Sequence, residues 1–296
     1  VRPVRQVLRA AAAALALAAA PAAAGPAVPA QADWDAARQP VTTADGLRLT
    51  YVELGTGDGV PLILLHGYTD NSRSWSLPAQ FLGERRILAL DLRGHGGSDV
   101  PACCYGLDSL AHDLEGFMDA LGIERADLVG HSLGSMTAAV FAATRPERVN
   151  RLVLVSSALD LPQAAGDWLW EHVPALEHPI DPDSQFMLDW YWNPTPVDGA
   201  FLARERAESA SRPREVWMGV LTALSASDWG PLAPRITAPT LMLWGDQDGL
   251  FGAAEQEALR AVLPGARFET IEGRGHNMFW EVPEEAGRMI AGFLDG

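Results

Sequence analysis

The 296-residue sequence predicts an α/β fold, a mostly parallel sheet covered by helices on both faces. Three observations carry this. Short continuous apolar runs alternate with segments of helical period, as expected of strands buried on both sides. A G-x-S-x-G pentapeptide, Gly130-His131-Ser132-Leu133-Gly134, joins one such run directly to a helix rich in small residues. A long strandless stretch from 157 to 239 interrupts the alternation late in the chain.

The elements follow in order. Arg2, Arg5 and Arg9 precede an apolar run, Ala10 to Ala24, and Ala30-Gln31-Ala32 offers a small-residue cleavage site. Residues 1–32 therefore read as a secretory signal peptide; export would leave no stable membrane insertion and a secreted, extracellular or periplasmic protein. Leu47 to Leu54 alternates like an edge strand. Pro61 to Leu65 and Ile87 to Leu90 are short buried strands. Leu107 to Leu121 places apolar side chains at helical spacing and stops at Gly122. Ala126 to Val129 is the strand before the pentapeptide, and Ser135 to Thr144 the helix after it. Arg151 to Val155, Thr240 to Trp244 and Arg267 to Ile271 supply further strands. Pro283 opens a last helix to Leu294, since proline suits a first helical turn.

Between these, residues 157–239 form a helical cap with stretches at Gly199 to Ala210 and Arg214 to Ala226. Their tryptophans are expected mainly to hold a satellite core, with one to three facing a ligand. Residues 33–156 and 240–296 form the core domain. With 38 acids against 22 bases and no basic cluster, the chain lacks the electrostatic footprint for nucleic acid. Cys103 and Cys104 are adjacent, and an oxidising compartment favours a vicinal disulfide between them.

A serine hydroxyl needs a base to attack a carbonyl, and the base needs an orienting carboxylate. Ser132 sits on a turn that would push its hydroxyl out above the sheet. Of the histidines after it, His172 and His178 fall in the cap, which leaves His276 in the loop after the last strand. Asp246, Asp248 and, less simply, Asp160 could supply the carboxylate. His66, His95 and His131 read as structural, Asp91 and Arg93 as braces of the loop Gly94 to Gly97, and His112 as exposed. No spacing resembles a metal site and no glycine loop could cradle a phosphate, so no cofactor and no metal are expected.

Five ordered motifs then resemble one superfamily: Leu65-His66-Gly67-Tyr68, Asp91 to Ser98, the pentapeptide, Trp244 to Asp248, and Gly275-His276. The chain from Val41 to Gly296 is similar to α/β-hydrolases of the serine branch with a helical cap. That resemblance implies eight strands, favours Asp248 over Asp246, and puts an oxyanion hole at the backbone N–H groups of Tyr68 and Leu133. It implies a serine hydrolase acting on a carboxylic ester or lactone of a small apolar substrate through an acyl-enzyme. Carbon–carbon bond hydrolysis, aminopeptidase or perhydrolase chemistry on the same triad are the alternatives, with a non-catalytic binding relative behind them.

Overall fold

The computed structural model describes residues 25–296. Residues 1–24, most of the expected signal segment, lie outside the described residues. Eight strands form one sheet in the order β1-β2-β4-β3-β5-β6-β7-β8. They are β1 (Arg38–Thr42), β2 (Arg48–Leu54), β3 (Leu62–Leu65), β4 (Ile87–Asp91), β5 (Ala126–His131), β6 (Val149–Val155), β7 (Thr240–Gly245) and β8 (Arg267–Ile271). β2 runs antiparallel to β1 and β4, and every other pairing is parallel.

The helices, in chain order, are α1 (Trp34–Ala37), α2 (Ser76–Ala79), α3 (Leu107–Ala120), α4 (Leu133–Thr144), α5 (Gln163–His172), α6 (Gln185–Trp190), α7 (Gly199–Ala210), α8 (Arg214–Ser225), α9 (Ala253–Val262), α10 (Met278–Glu281) and α11 (Pro283–Leu294). α4 is buried along its length except at Thr144. Its alanines and glycine let it lie close against β5, β6 and α3. β3 and β5 are fully buried, as strands covered on both faces must be. Residues 157–239 carry α5 to α8 and contain no named strand; a single bridge, Asp160 to Asp228, closes the base of this insertion.

Two expectations are corrected. The segment at Leu47 to Leu54 is not an edge: β2 is bonded on both sides, and β1 takes the edge. β1 reads Arg-Gln-Pro-Val-Thr, with no apolar period to reveal it. Cys103 and Cys104 are exposed free thiols rather than a vicinal disulfide. Neighbouring Cα atoms stand at most about 3.8 Å apart, short of the roughly 4.4–6.8 Å a disulfide usually spans.

In the order of the sheet, β4 lies on one side of β3 and β5 on the other, so the chain reverses its direction of winding there. A crevice opens at the carboxyl ends of strands around such a switch point. The loops after β3, β5, β7 and β8 converge on it.

Candidate active site

Ser132 links β5 to α4 with φ +50° and ψ −118°, a strained conformation for a residue with a side chain. Its N–H donates to the Val155 carbonyl at 3.0 Å, and its own carbonyl accepts from the Ser135 hydroxyl at 2.6 Å. The flanking glycines are needed for space. A Cβ on Gly130 would lie 2.2 Å from the Gly134 carbonyl oxygen, and one on Gly134 2.4 Å from that of Leu65.

His276 leaves the loop after β8. Its Nδ1–H donates to Asp248 Oδ2 at 2.8 Å, which leaves Nε2 as the free acceptor. The His276 carbonyl accepts from Ser156 Oγ at 2.7 Å and from His131 Nε2–H at 3.1 Å, which fixes the backbone behind the ring. Asp248 is held in turn: its Oδ1 accepts the amides of Leu250 and Phe251 at 2.8 and 2.9 Å. Asp246 turns elsewhere, accepting the Gly273 amide at 2.6 Å and tying the loops after β7 and β8 together. Asp160 stays at the base of the helical insertion. The Leu133 N–H, at the first position of α4, lies ahead of any intrahelical acceptor, and the Tyr68 N–H makes no backbone hydrogen bond among the described residues.

Ser132 and His276 line one cavity of about 460 Å³, within the usual range for small-molecule sites. Part of its wall comes from the helical insertion, through Ala165, Trp168, Trp190, Tyr191, Trp192 and Pro194. Of the tryptophans in that insertion, these three line the cavity, whereas Trp217 and Trp229 are buried as packing. Trp168, Phe186 and Trp190 form a row of parallel rings, and Tyr68 meets Trp190 edge-on.

His66, His95 and His131 are structural. His66 donates to the Gly67 carbonyl and accepts the Leu92 amide at 3.0 Å; burial pushes its pKa down to about 4 and keeps it neutral. His95 donates to the Arg93 carbonyl at 2.8 Å and accepts the Thr69 amide. His131 is buried against Phe279 and His276. Its basicity is depressed, first by burial and then by His276. His112 is exposed on α3. Asp91 accepts the amides of Gly97 and Ser72 and an ion pair from Arg38. Arg93 bonds instead to Asp113 on α3 and to the Cys104 carbonyl, so only the aspartate braces the glycine loop directly.

One lining residue escaped the sequence reading. Asp70, three positions beyond Gly67, is 5% exposed, and its Oδ1 accepts the Tyr191 hydroxyl at 2.8 Å. Burial raises its pKa to about 7 against the opposing effects of that hydroxyl, His276 and the Gly67 backbone. No sequence signal sets it apart: Tyr68 to Trp75 reads Tyr-Thr-Asp-Asn-Ser-Arg-Ser-Trp, a polar run of the kind expected in an exposed loop, yet every residue of it is buried.

Residues 60–283 match the family model described as alpha/beta hydrolase fold. A 2-hydroxy-6-oxononadienedioate/2-hydroxy-6-oxononatrienedioate hydrolase of Paraburkholderia phymatum is 30% identical over 263 residues, covering 84% of this chain and 91% of its own. Among solved structures, a bacterial membrane phospholipase A superposes with TM-score 0.76 at 31% identity, covering 88% of this chain and 86% of its own. A thermophilic esterase from Thermogutta terrifontis superposes with TM-score 0.73 at 25% identity, covering 87% and 98%.

Proposed function

The chain belongs to the α/β-hydrolase family, and from that premise we propose that it is a serine hydrolase cleaving a carboxylic ester through an acyl-enzyme. The observation that carries this reading is the anchored His276–Asp248 pair opening onto the same cavity as Ser132. Ser132 Oγ attacks the substrate carbonyl carbon while His276 Nε2 takes the hydroxyl proton. Asp248 holds the imidazole in the tautomer that keeps Nε2 available and stabilises the imidazolium that forms. The backbone N–H groups of Tyr68 and Leu133 receive the developing oxyanion, a contribution of roughly 3 kcal/mol per donor. Collapse expels the alcohol, which takes the proton from His276. Water then attacks the acyl-enzyme with His276 again as base; the bond to Ser132 Oγ breaks, the serine takes the proton back from His276, and the acid leaves.

The aromatic walls favour an apolar flank on the ester. A dicarboxylate of the kind named for the Paraburkholderia relative is disfavoured, because no arginine lines the cavity among the described residues and the sequence contains no lysine. We further propose that the enzyme works outside the cytoplasm, on the strength of the signal-like segment before Asp33.

The test is labelling with a fluorophosphonate probe together with a panel of acyl esters, lactones and aminoacyl anilides. Wild type should label and turn over esters; Ser132→Ala should lose the label and most of the turnover. Ester turnover that survives Ser132→Ala, or an anilide preferred over every ester, would overturn the proposal.

A further inference from the structure

The cavity holds two carboxylates and no guanidinium or ammonium group among its described lining residues. Asp189 stands exposed, while Asp70 is buried beside Ser132 and His276. Asp70 Oδ2 lies 3.9 Å from His131 Nδ1, which is itself buried without a hydrogen-bond partner. The arginines in this part of the molecule are already engaged: Arg73 with Glu208 and Asp35, Arg38 with Asp91. Glu205 of α7, behind Asp70, is fully buried with both oxygens unpartnered; burial holds its pKa well above the ordinary glutamate value, and it offers Asp70 no counter-charge. A buried carboxylate without a cation is unfavourable, and this one borders open volume.

The rest of the wall is what a cation prefers. Tyr68, Trp168, Trp190, Tyr191, Trp192 and Trp280 line the same cavity. Aromatic faces attract ammonium groups through the ring quadrupole, most strongly where water is excluded. Tyr191 both stacks on Trp280 and donates its hydroxyl to Asp70, so the acid and the aromatic wall are joined.

We infer that the cavity is an ammonium subsite: the substrate carries a substituted ammonium group, seated among the aromatic rings with Asp70 as its counter-charge. This rests on the hydrolase reading only for what happens to the ligand, since binding requires no chemistry. Burial raises the pKa of Asp70, and a bound ammonium group would lower it again.

The probes are choline and its uncharged carbon isostere, 3,3-dimethyl-1-butanol, bound to the full chain at pH 8 and followed by calorimetry. Choline is expected to bind at least tenfold more tightly than the isostere, and to compete with a neutral 4-nitrophenyl ester wherever that ester is turned over. Asp70→Asn should bring the ratio within about threefold of unity, and Asp189→Asn, at an exposed position, should lower it less. Equal binding of the two probes by wild type overturns the inference, whether or not the variants fold. Tighter binding of the anionic isostere 3,3-dimethylbutanoate overturns it too, because Asp70 would then act as a neutral hydrogen-bond donor. Choline preference without fluorophosphonate labelling keeps the subsite and removes the hydrolase. Ser132-dependent ester turnover without choline preference does the opposite.

Discussion

Ser132 holds a backbone geometry that relaxes unless its neighbours forbid it. Gly134→Ala puts a methyl group into the Leu65 carbonyl, and Gly130→Ala puts one into that of Gly134. Backbone on both sides leaves nowhere to yield, so each change should lower stability by roughly 1–3 kcal/mol or more, seen as a fall in Tm, with loss of probe labelling. Asp248 and Asp246 make a second contrast. On the proposed mechanism, Asp248→Asn should reduce kcat about 10⁴-fold by losing the tautomer, as in other serine triads, while Asp246→Asn loses only a loop tie. The reverse order in steady-state kinetics would exchange their roles. The sequence made Ser132 and His276 legible through the pentapeptide and chain order. It could not separate two aspartates in one loop by spacing alone, because the amides of Leu250 and Phe251 decide which carboxylate turns inward.

At the scale of elements, α7 carries a conflict. Glu205 is buried without partners, and burial, reinforced by Asp70 and Glu208, holds its pKa well above the ordinary glutamate value. The folded state therefore binds more protons than the unfolded one across that interval. The stability tied to this acid is whole below about pH 4.3 and is lost as pH rises through the folded value. Glu205→Met should raise stability at pH 8 by about 1–4 kcal/mol and flatten the decline in Tm between pH 5 and pH 8; an unchanged slope counts against this account. Elements with strong period, such as α3, α8 and α11, were readable because one face meets the core. α5 and α6 were not read, since prolines break up the pattern around them and aromatic stacking rather than periodicity holds them. β1 lacks an apolar face and is recognisable only by its pairing.

On the scale of the whole molecule, the segment before the sheet is part of the fold. Trp34 is completely buried and donates to Ser72 Oγ at 3.0 Å, and Arg73 reaches the Gln31 carbonyl. A chain starting at Asp33 keeps the tryptophan and should fold, whereas Trp34→Ala should lose about 3–5 kcal/mol in chemical denaturation. The sheet and its windings were legible from buried runs because both faces are covered. Asp70 and the walls were not, since they depend on which loops meet after the chain has folded. Those walls have an unusual economy of origin: apart from Tyr68 and Trp280, the aromatic rings of the cavity come from one stretch, Trp168 to Trp192, hung between β6 and β7. The reacting groups are mounted elsewhere, on turns of the scaffold itself. A different ligand preference could thus be grafted by exchanging a single contiguous cassette, leaving the bond-breaking apparatus untouched.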